Sequence, residues 1–220
     1  MSVWAVLAAA GSGERLGEGR PKAFAPLGGL PLLAESLERL ERSEWIEGIV
    51  IAAPPGWEEP TILLAEEIGA GKVSVCVPGG SSRSRSVSLA LDEVPAGASV
   101  VLVHDAARPL LPDEVIERVL APLSAGWDGA VPVLAVTDTI KRVRGDAVVE
   151  TLPRAELVVA QTPQAFVAAV LRGALAGGAE ASDCASLVEA AGGRVRAVPG
   201  DPRLLKVTTR ADLELVSSWR

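Results

Sequence analysis

Short apolar runs alternate with stretches of helical periodicity along nearly the whole chain. Runs suited to buried strands stand at Val3–Ala8, Gly48–Ala53, Lys72–Val77, Ser99–His104 and Ala130–Val136, with later ones near Val195–Val198 and Leu204–Val207. Between them the spacing predicts helices over Leu32–Arg42, Thr61–Ile68, Ser84–Asp92, Pro112–Leu123, Gln164–Ala176, Ser182–Ala191 and Arg210–Trp219. Apolar strands in this order imply an α/β fold, a mostly parallel sheet with helices on both faces. Helix starts agree: Pro112 precedes Asp113-Glu114, and Ser182-Asp183 precedes an apolar stretch. With 220 residues, no internal repeat and no low-complexity linker, residues 1–220 read as one domain.

One segment breaks the rhythm. Thr139–Arg144, then Gly145-Asp146, then Ala147–Leu152 has the pattern of a β-hairpin. Two strands alone are marginally stable, so the segment at about 138–154 needs a surface to pack on. A hairpin folded back on its own domain is one answer; a dimerisation arm is the reading favoured here.

The formal charge of −7 argues against a general nucleic-acid or membrane-surface binder. An anionic ligand must then be drawn in by a local basic cluster. Of 21 basic residues only Lys22, Lys72, Lys141 and Lys206 are lysines, so each raises the question whether a compact point charge is needed there. No apolar run reaches the roughly 18 residues of a membrane span, and Met1–Leu7 lacks the basic flank of a signal peptide. Cys76 and Cys184 are too few for a disulfide framework or a zinc site. A cytoplasmic location follows by default.

Three loops carry the chemistry. Ala9-Ala10-Gly11-Ser12-Gly13-Glu14-Arg15-Leu16-Gly17-Glu18-Gly19-Arg20-Pro21-Lys22 follows the first strand, where parallel sheets place ligands. Glycines let backbone N–H groups approach an anion. The dinucleotide fingerprint fails because position 16 is Leu, and the Gly-Lys-Ser/Thr of a Walker loop is absent. Pro78-Gly79-Gly80-Ser81-Ser82-Arg83-Ser84-Arg85-Ser86-Val87 suits a phosphate or base edge at a helix start, and equally a plain serine cap. His104-Asp105-Ala106-Ala107-Arg108-Pro109 puts a carboxylate beside an arginine at a strand end, either for a metal or substrate contact or as an internal Asp–Arg pair. His104, the single histidine, has no Gly-x-Ser-x-Gly partner for hydrolysis and reads as structural.

These blocks resemble the 2-C-methyl-D-erythritol 4-phosphate cytidylyltransferases of the non-mevalonate isoprenoid pathway. The match runs through Ala9–Lys22, Gly79-Gly80-x-x-Arg83-x-x-Ser86-Val87, His104–Pro109, Asp138-Thr139-x-Lys141, Thr162-Pro163-Gln164 and Lys206-Val207-Thr208, in family order. The resemblance implies a Rossmann-like nucleotidyltransferase fold with a β-hairpin arm interlocking a homodimer. It also implies transfer of a cytidylyl group from CTP to the polyol phosphate. In that reading Ala9, Ala10, Gly11, Gly13, Gly80 and Ser86 hold CTP. Arg15 and Lys22 stabilise the transition state, and Arg154 and Lys206 position the acceptor with help from Thr139, Asp105 and Arg108. Thr139 and Arg154 act in the neighbouring subunit's site. Mg2+ bridges the CTP phosphates, with Asp105 a candidate ligand. Two departures stand out: Ser182-Asp183-Cys184 replaces the usual Thr-Asp-Asp/Glu, and Leu204 stands where Asn is usual.

The chemistry agrees. A phosphate monoester has its second pKa near ~6, so the acceptor is largely dianionic at neutral pH and needs no general base. The barrier lies in bringing two polyanions together and neutralising the leaving pyrophosphate, which fixed cations accomplish. Ribitol 5-phosphate is the alternative acceptor, and a nucleotide-binding module without turnover is the alternative class.

Overall fold

The computed structural model describes residues 1–11, 13 and 19–220. The chain runs through β1 (Val3–Ala8), β2 (Pro26–Leu27), β3 (Leu30–Pro31), α1 (Leu32–Arg42), β4 (Gly48–Ala53), α2 (Glu58–Glu67), β5 (Val73–Pro78) and α3 (Arg83–Glu93). It continues through β6 (Val100–Asp105), α4 (Asp113–Ser124), β7 (Gly129–Ala135), β8 (Ile140–Arg144), β9 (Ala147–Leu152), β10 (Val158–Ala160) and β11 (Gln164–Val167). Last come α5 (Ala168–Leu175), α6 (Cys184–Ala190), β12 (Val195–Pro199) and α7 (Arg210–Ser218).

An eight-stranded sheet follows the path β7-β11-β6-β1-β4-β5, with β10 and β12 both pairing β7. β1 is parallel to β4 and β6, β4 to β5, and β12 to β7. β11 lies antiparallel between β6 and β7, and β10 is antiparallel to β7. The expected mostly parallel sheet with helices on both faces is therefore present.

Strand periodicity explains the two cores. Val3, Ala5 and Leu7 of β1, with Ile49, Ile51, Val100 and Leu102, face α1, α2 and α4 through Leu33, Leu37, Leu64, Val115 and Val119. Their neighbours Val6, Val50, Ala52, Val101 and Val103 point the other way, to Val87, Leu91, Leu171, Leu187 and Val188 of α3, α5 and α6. Side chains alternate across a strand, so one six-residue run supplies both layers. A third cluster seats α7, through Leu213 and Val216, on Leu27, Leu32 and Leu110. Among the described residues no helix is long and apolar enough to cross a membrane.

Two expected elements differ. Gln164–Val167 is a strand, and the helix begins only at Ala168. Phe166 fills the space left by Gly129 on β7, where a Cβ would lie 2.5 Å from its ring, so sheet packing overrides helical spacing. Leu204–Val207 forms no strand. Asp201 caps a short turn over Pro202–Leu204, and the chain then runs by the sheet with Val207 N–H donating to Ala107 O at 2.8 Å. β10 and the tiny β2–β3 pair were not expected.

The hairpin appears as β8 and β9, paired with each other outside the main sheet. Val143 and Val148 are each 61% exposed on it.

Gly79 brings the first two loops together. A Cβ there would sit 2.1 Å from Ala10 Cβ and 3.0 Å from Ala53 O, so no side chain fits unless the loops part. Gly79→Ala is expected to cost about 1–3 kcal/mol by overpacking, read in denaturant unfolding. Gly97→Ala, whose Cβ meets nothing within 4 Å, serves as the control and leaves stability near wild type.

Candidate active site

A cleft of about 740 Å3 opens beyond the carboxyl ends of β1, β5 and β6. Parallel sheets put ligands there because the loops that follow neighbouring strands converge. The first loop contributes Ala8–Gly11, Gly13, Lys22 and Ala23; the second contributes Gly80–Arg83 and Ser86. Asp105, Ala106 and Ala107 form the floor's edge, and Lys206 and Thr208 close the cleft from the C-terminal segment.

The first loop is tied at its start by Ala9 N–H to Ala52 O (2.9 Å). Gly13 has φ +72°, and a Cβ there would fall 2.6 Å from Lys22 Cβ, so only glycine lets the loop close on Lys22. Lys22 opens a short 3₁₀ turn, Lys22–Phe24, after Pro21. The ring of Phe24 leans on Trp57 with centroids 4.6 Å apart. In the second loop Ser82 caps α3 by accepting from Arg85 N–H (3.0 Å). Ser86 Oγ donates to Ser82 O (2.8 Å) and accepts from Gly80 N–H (3.0 Å), so one serine fixes the turn entering the helix. The α3 N-terminus, with its partial positive charge, thereby borders the cleft.

Asp105 ends β6, a buried strand, with its side chain 9% exposed. Arg83 Nε donates to Oδ1 at 3.0 Å, and Lys206 Nζ donates to Oδ2 at 2.8 Å. Burial alone would push this carboxyl up, but Arg83 and then Lys206 hold it well below the usual carboxylate range. Arg83 stays charged in spite of its own burial, because the Asp105 carboxylate beside it outweighs the loss of water.

The adjacent groups form a closed relay. Asp105 N–H donates to Thr162 Oγ1 (3.0 Å), which also lies 3.1 Å from His104 Nδ1. His104 Nε2 lies 3.1 Å from Arg108 O. A carbonyl can only accept, so Nε2 carries the proton and Nδ1 accepts from the threonine. Both nitrogens are spent, and burial pushes the imidazole pKa down to about 4. The internal pair between Asp105 and Arg108 is not formed: Arg83 takes the carboxylate, and Arg108 Nη1 donates to Leu204 O at 2.6 Å. A backbone carbonyl makes that contact, so it does not depend on the side chain at position 204. Gln164 anchors α6: its Oε1 accepts from Cys184 and Ala185 N–H, each at 3.2 Å, while Nε2 donates to Asp183 (2.8 Å).

Of the residues expected in the site, Ala9, Ala10, Gly11, Gly13, Lys22, Gly80, Ser86, Asp105 and Lys206 line the cleft together. Arg15 lies outside the described residues. Arg108 is turned to Leu204 and does not line the cleft. Thr139 and Arg154 are exposed beside the hairpin, the Arg154 guanidinium donating to Thr137 O, and neither lines the cleft. Asp105, the candidate metal ligand, has Oδ1 paired with Arg83 and Oδ2 with Lys206. Among the described residues no group of three or more His, Cys, Asp or Glu could hold a metal. The sequence reading gave Arg83 and Thr162 no role, although both stand in the quoted blocks. Arg83 at a helix start after two glycines was the available signal.

The family model described as 2-C-methyl-D-erythritol 4-phosphate cytidylyltransferase matches residues 3–218. A Frankia casuarinae protein of that name is 45% identical over 218 residues, covering 98% of this chain and 80% of its own. A Saccharopolyspora erythraea protein of the same name is 44% identical over 223 residues, covering 99% of each. The crystal structure of 2-C-methyl-D-erythritol 4-phosphate cytidylyltransferase from Thermus thermophilus superposes with a TM-score of 0.79 at 36% identity, over 97% of this chain and 96% of that one.

The buried neutral His104 has a consequence for stability. Its pKa falls from an ordinary 6.5 to about 4 in the native state. Between these values the unfolded chain binds a proton there that the native chain does not. Unfolding free energy is therefore expected to fall as pH drops from 6.5 toward 4, by at most about 3 kcal/mol. Denaturant unfolding across that range checks it, and a folded His104→Gln chain should show a flatter profile.

Proposed function

We propose residue roles for a chain that belongs to the 2-C-methyl-D-erythritol 4-phosphate cytidylyltransferase family. The chain is a nucleotidyltransferase: it moves the cytidylyl group of CTP onto 2-C-methyl-D-erythritol 4-phosphate, giving 4-diphosphocytidyl-2-C-methyl-D-erythritol and pyrophosphate. The erythritol acceptor is thus favoured over ribitol 5-phosphate and over a module without turnover. The observation that carries the residue roles is the convergence of Lys22, the α3 N-terminus and Lys206 on one cleft in an acidic protein.

In this reading Ala9, Ala10, Gly11, Gly13, Gly80 and Ser86 form the CTP side, where small residues admit a base and its phosphates. Lys22, with Arg15, neutralises charge that grows on the α-phosphate and the departing pyrophosphate. Lys206 and Asp105 receive the acceptor, the ammonium meeting its phosphate. An acceptor oxygen attacks the α-phosphorus, the bond to pyrophosphate breaks, and no proton need be moved by the protein. Thr208 borders the same region and Arg108 holds the Leu204 backbone beneath it. Mg2+ belongs to the proposal as an ion carried on the CTP phosphates, where it would supply charge neutralisation; Asp105 in the cleft is already paired.

Residues 1–220 form one catalytic domain in this proposal, with the arm at about 138–154 serving a homodimer. Support comes from the exposed Val143, Val148, Val149, Val158 and Val159, which leave an apolar surface on and beside the hairpin. Further support comes from Arg154 and Thr139, which do not line their own chain's cleft. A cytoplasmic setting also belongs here, supported by two free cysteines.

Lys22→Ala is expected to lower kcat by a factor worth on the order of 3 kcal/mol while the chain stays folded, measured by pyrophosphate release. Unchanged turnover in folded Lys22→Ala would sink its role. Lys22→Ala and Arg154→Ala chains, each strongly impaired alone, should regain part of the activity when co-expressed. Failure to recover any, with dimers present, would remove the shared site.

A further inference from the structure

Arg83 has no part in the roles above, yet it stands at the centre of the cleft's charge. It is the first residue of α3 and lines the cleft with its side chain 21% exposed. Nε and Nη2 both lie 3.0 Å from a single oxygen, Oδ1 of Asp105, and Nη2 is not aligned for a hydrogen bond. This approach to one oxygen leaves Oδ2 to the Lys206 ammonium at 2.8 Å. A fork spread over both oxygens would have left the lysine to share an oxygen with the arginine. On its other side Nη1 donates to the Cys184 thiol at 3.5 Å, a group that burial keeps neutral, so no second anion competes for the guanidinium.

Stability gives little reason to keep such a group. Burying a guanidinium with an unspent N–H is costly, and buried ion pairs are often matched by apolar substitutes. Charge gives a reason. Arg83, Lys206 and Asp105 together carry one net positive charge, at the only acidic side chain among the described residues that line the cleft. Without Arg83 the remaining pair is neutral, and its carboxylate faces an incoming phosphate.

We propose that Arg83 is a positioning residue for the acceptor phosphate, covering one oxygen of Asp105 so that the Lys206 ammonium on the other oxygen keeps net charge for the incoming anion. The proposal rests on the reading of Lys206 as the acceptor clamp. The test is steady-state pyrophosphate release, with acceptor varied at saturating CTP and CTP varied at saturating acceptor, for wild type, Arg83→Gln and Arg83→Lys.

Arg83→Gln is expected to raise acceptor KM about tenfold or more, with kcat and CTP KM held within about threefold. Arg83→Lys restores most of the loss because it restores the charge. Acceptor KM in wild type should also climb with salt more steeply than in Arg83→Gln. A purely structural anchor would move melting temperature and both KM values together, without rescue by lysine; that result overturns the proposal. Acceptor KM unchanged in folded Arg83→Gln overturns it as well. Should the glutamine variant fail to fold, Arg83→Met keeps the apolar stem and takes its place in the comparison. A silent wild type would strike the functional reading itself, whereas an active wild type with an insensitive Arg83 strikes this inference alone.

Discussion

Asp105 is where the layers of this protein are joined. Its backbone belongs to β6 in the middle of the sheet, its amide is held by Thr162 ahead of β11, and its carboxylate receives Arg83 from α3 and Lys206 from the C-terminal segment. Elements distant in sequence are thus pinned to one buried side chain. An isolated carboxylate at that depth would lose its charge. Here two cations keep it ionised, and in doing so they are themselves brought to the cleft.

An acidic chain that must handle polyanions has to concentrate its cations. The four lysines show how this is done. Lys72 and Lys141 do ordinary local work, donating to Ser43 O and to Thr151 Oγ1. Lys22 and Lys206 line the cleft from opposite ends of the sequence. Most arginines spend their donors on backbone carbonyls or carboxylates, as Arg108, Arg118 and Arg172 do with Leu204, Pro199 and Leu91. A flexible ammonium suits a site that must follow charge as it moves, whereas a planar fork suits a fixed partner.

Much of this was legible in the sequence, and the reason is periodicity. Val3–Ala8, Gly48–Ala53 and Leu32–Arg42 were read with the observed boundaries because each is uniformly apolar or cleanly amphipathic. Gln164–Val167 was misread because four residues ahead of a real helix carry no period of their own; Phe166 against Gly129 decides the matter, and that contact joins distant parts of the chain. The cleft's small residues were readable from the glycine-rich loops. Arg83 was not given a role: its place at a helix start after two glycines marks it, but the carboxylate it meets lies 22 positions later.

The lone histidine has a consequence that reaches beyond folding. Imidazole is the side chain whose ordinary titration spans the physiological range, and here it is walled in and spoken for on both nitrogens. The charges of Asp105 and Arg83 are pinned by one another. The described part of the cleft therefore presents an almost constant electrostatic landscape as the medium turns mildly acid. Such sensitivity of turnover would then originate in the substrates, whose phosphates gain protons near ~6, more than in Asp105, Arg83 or His104.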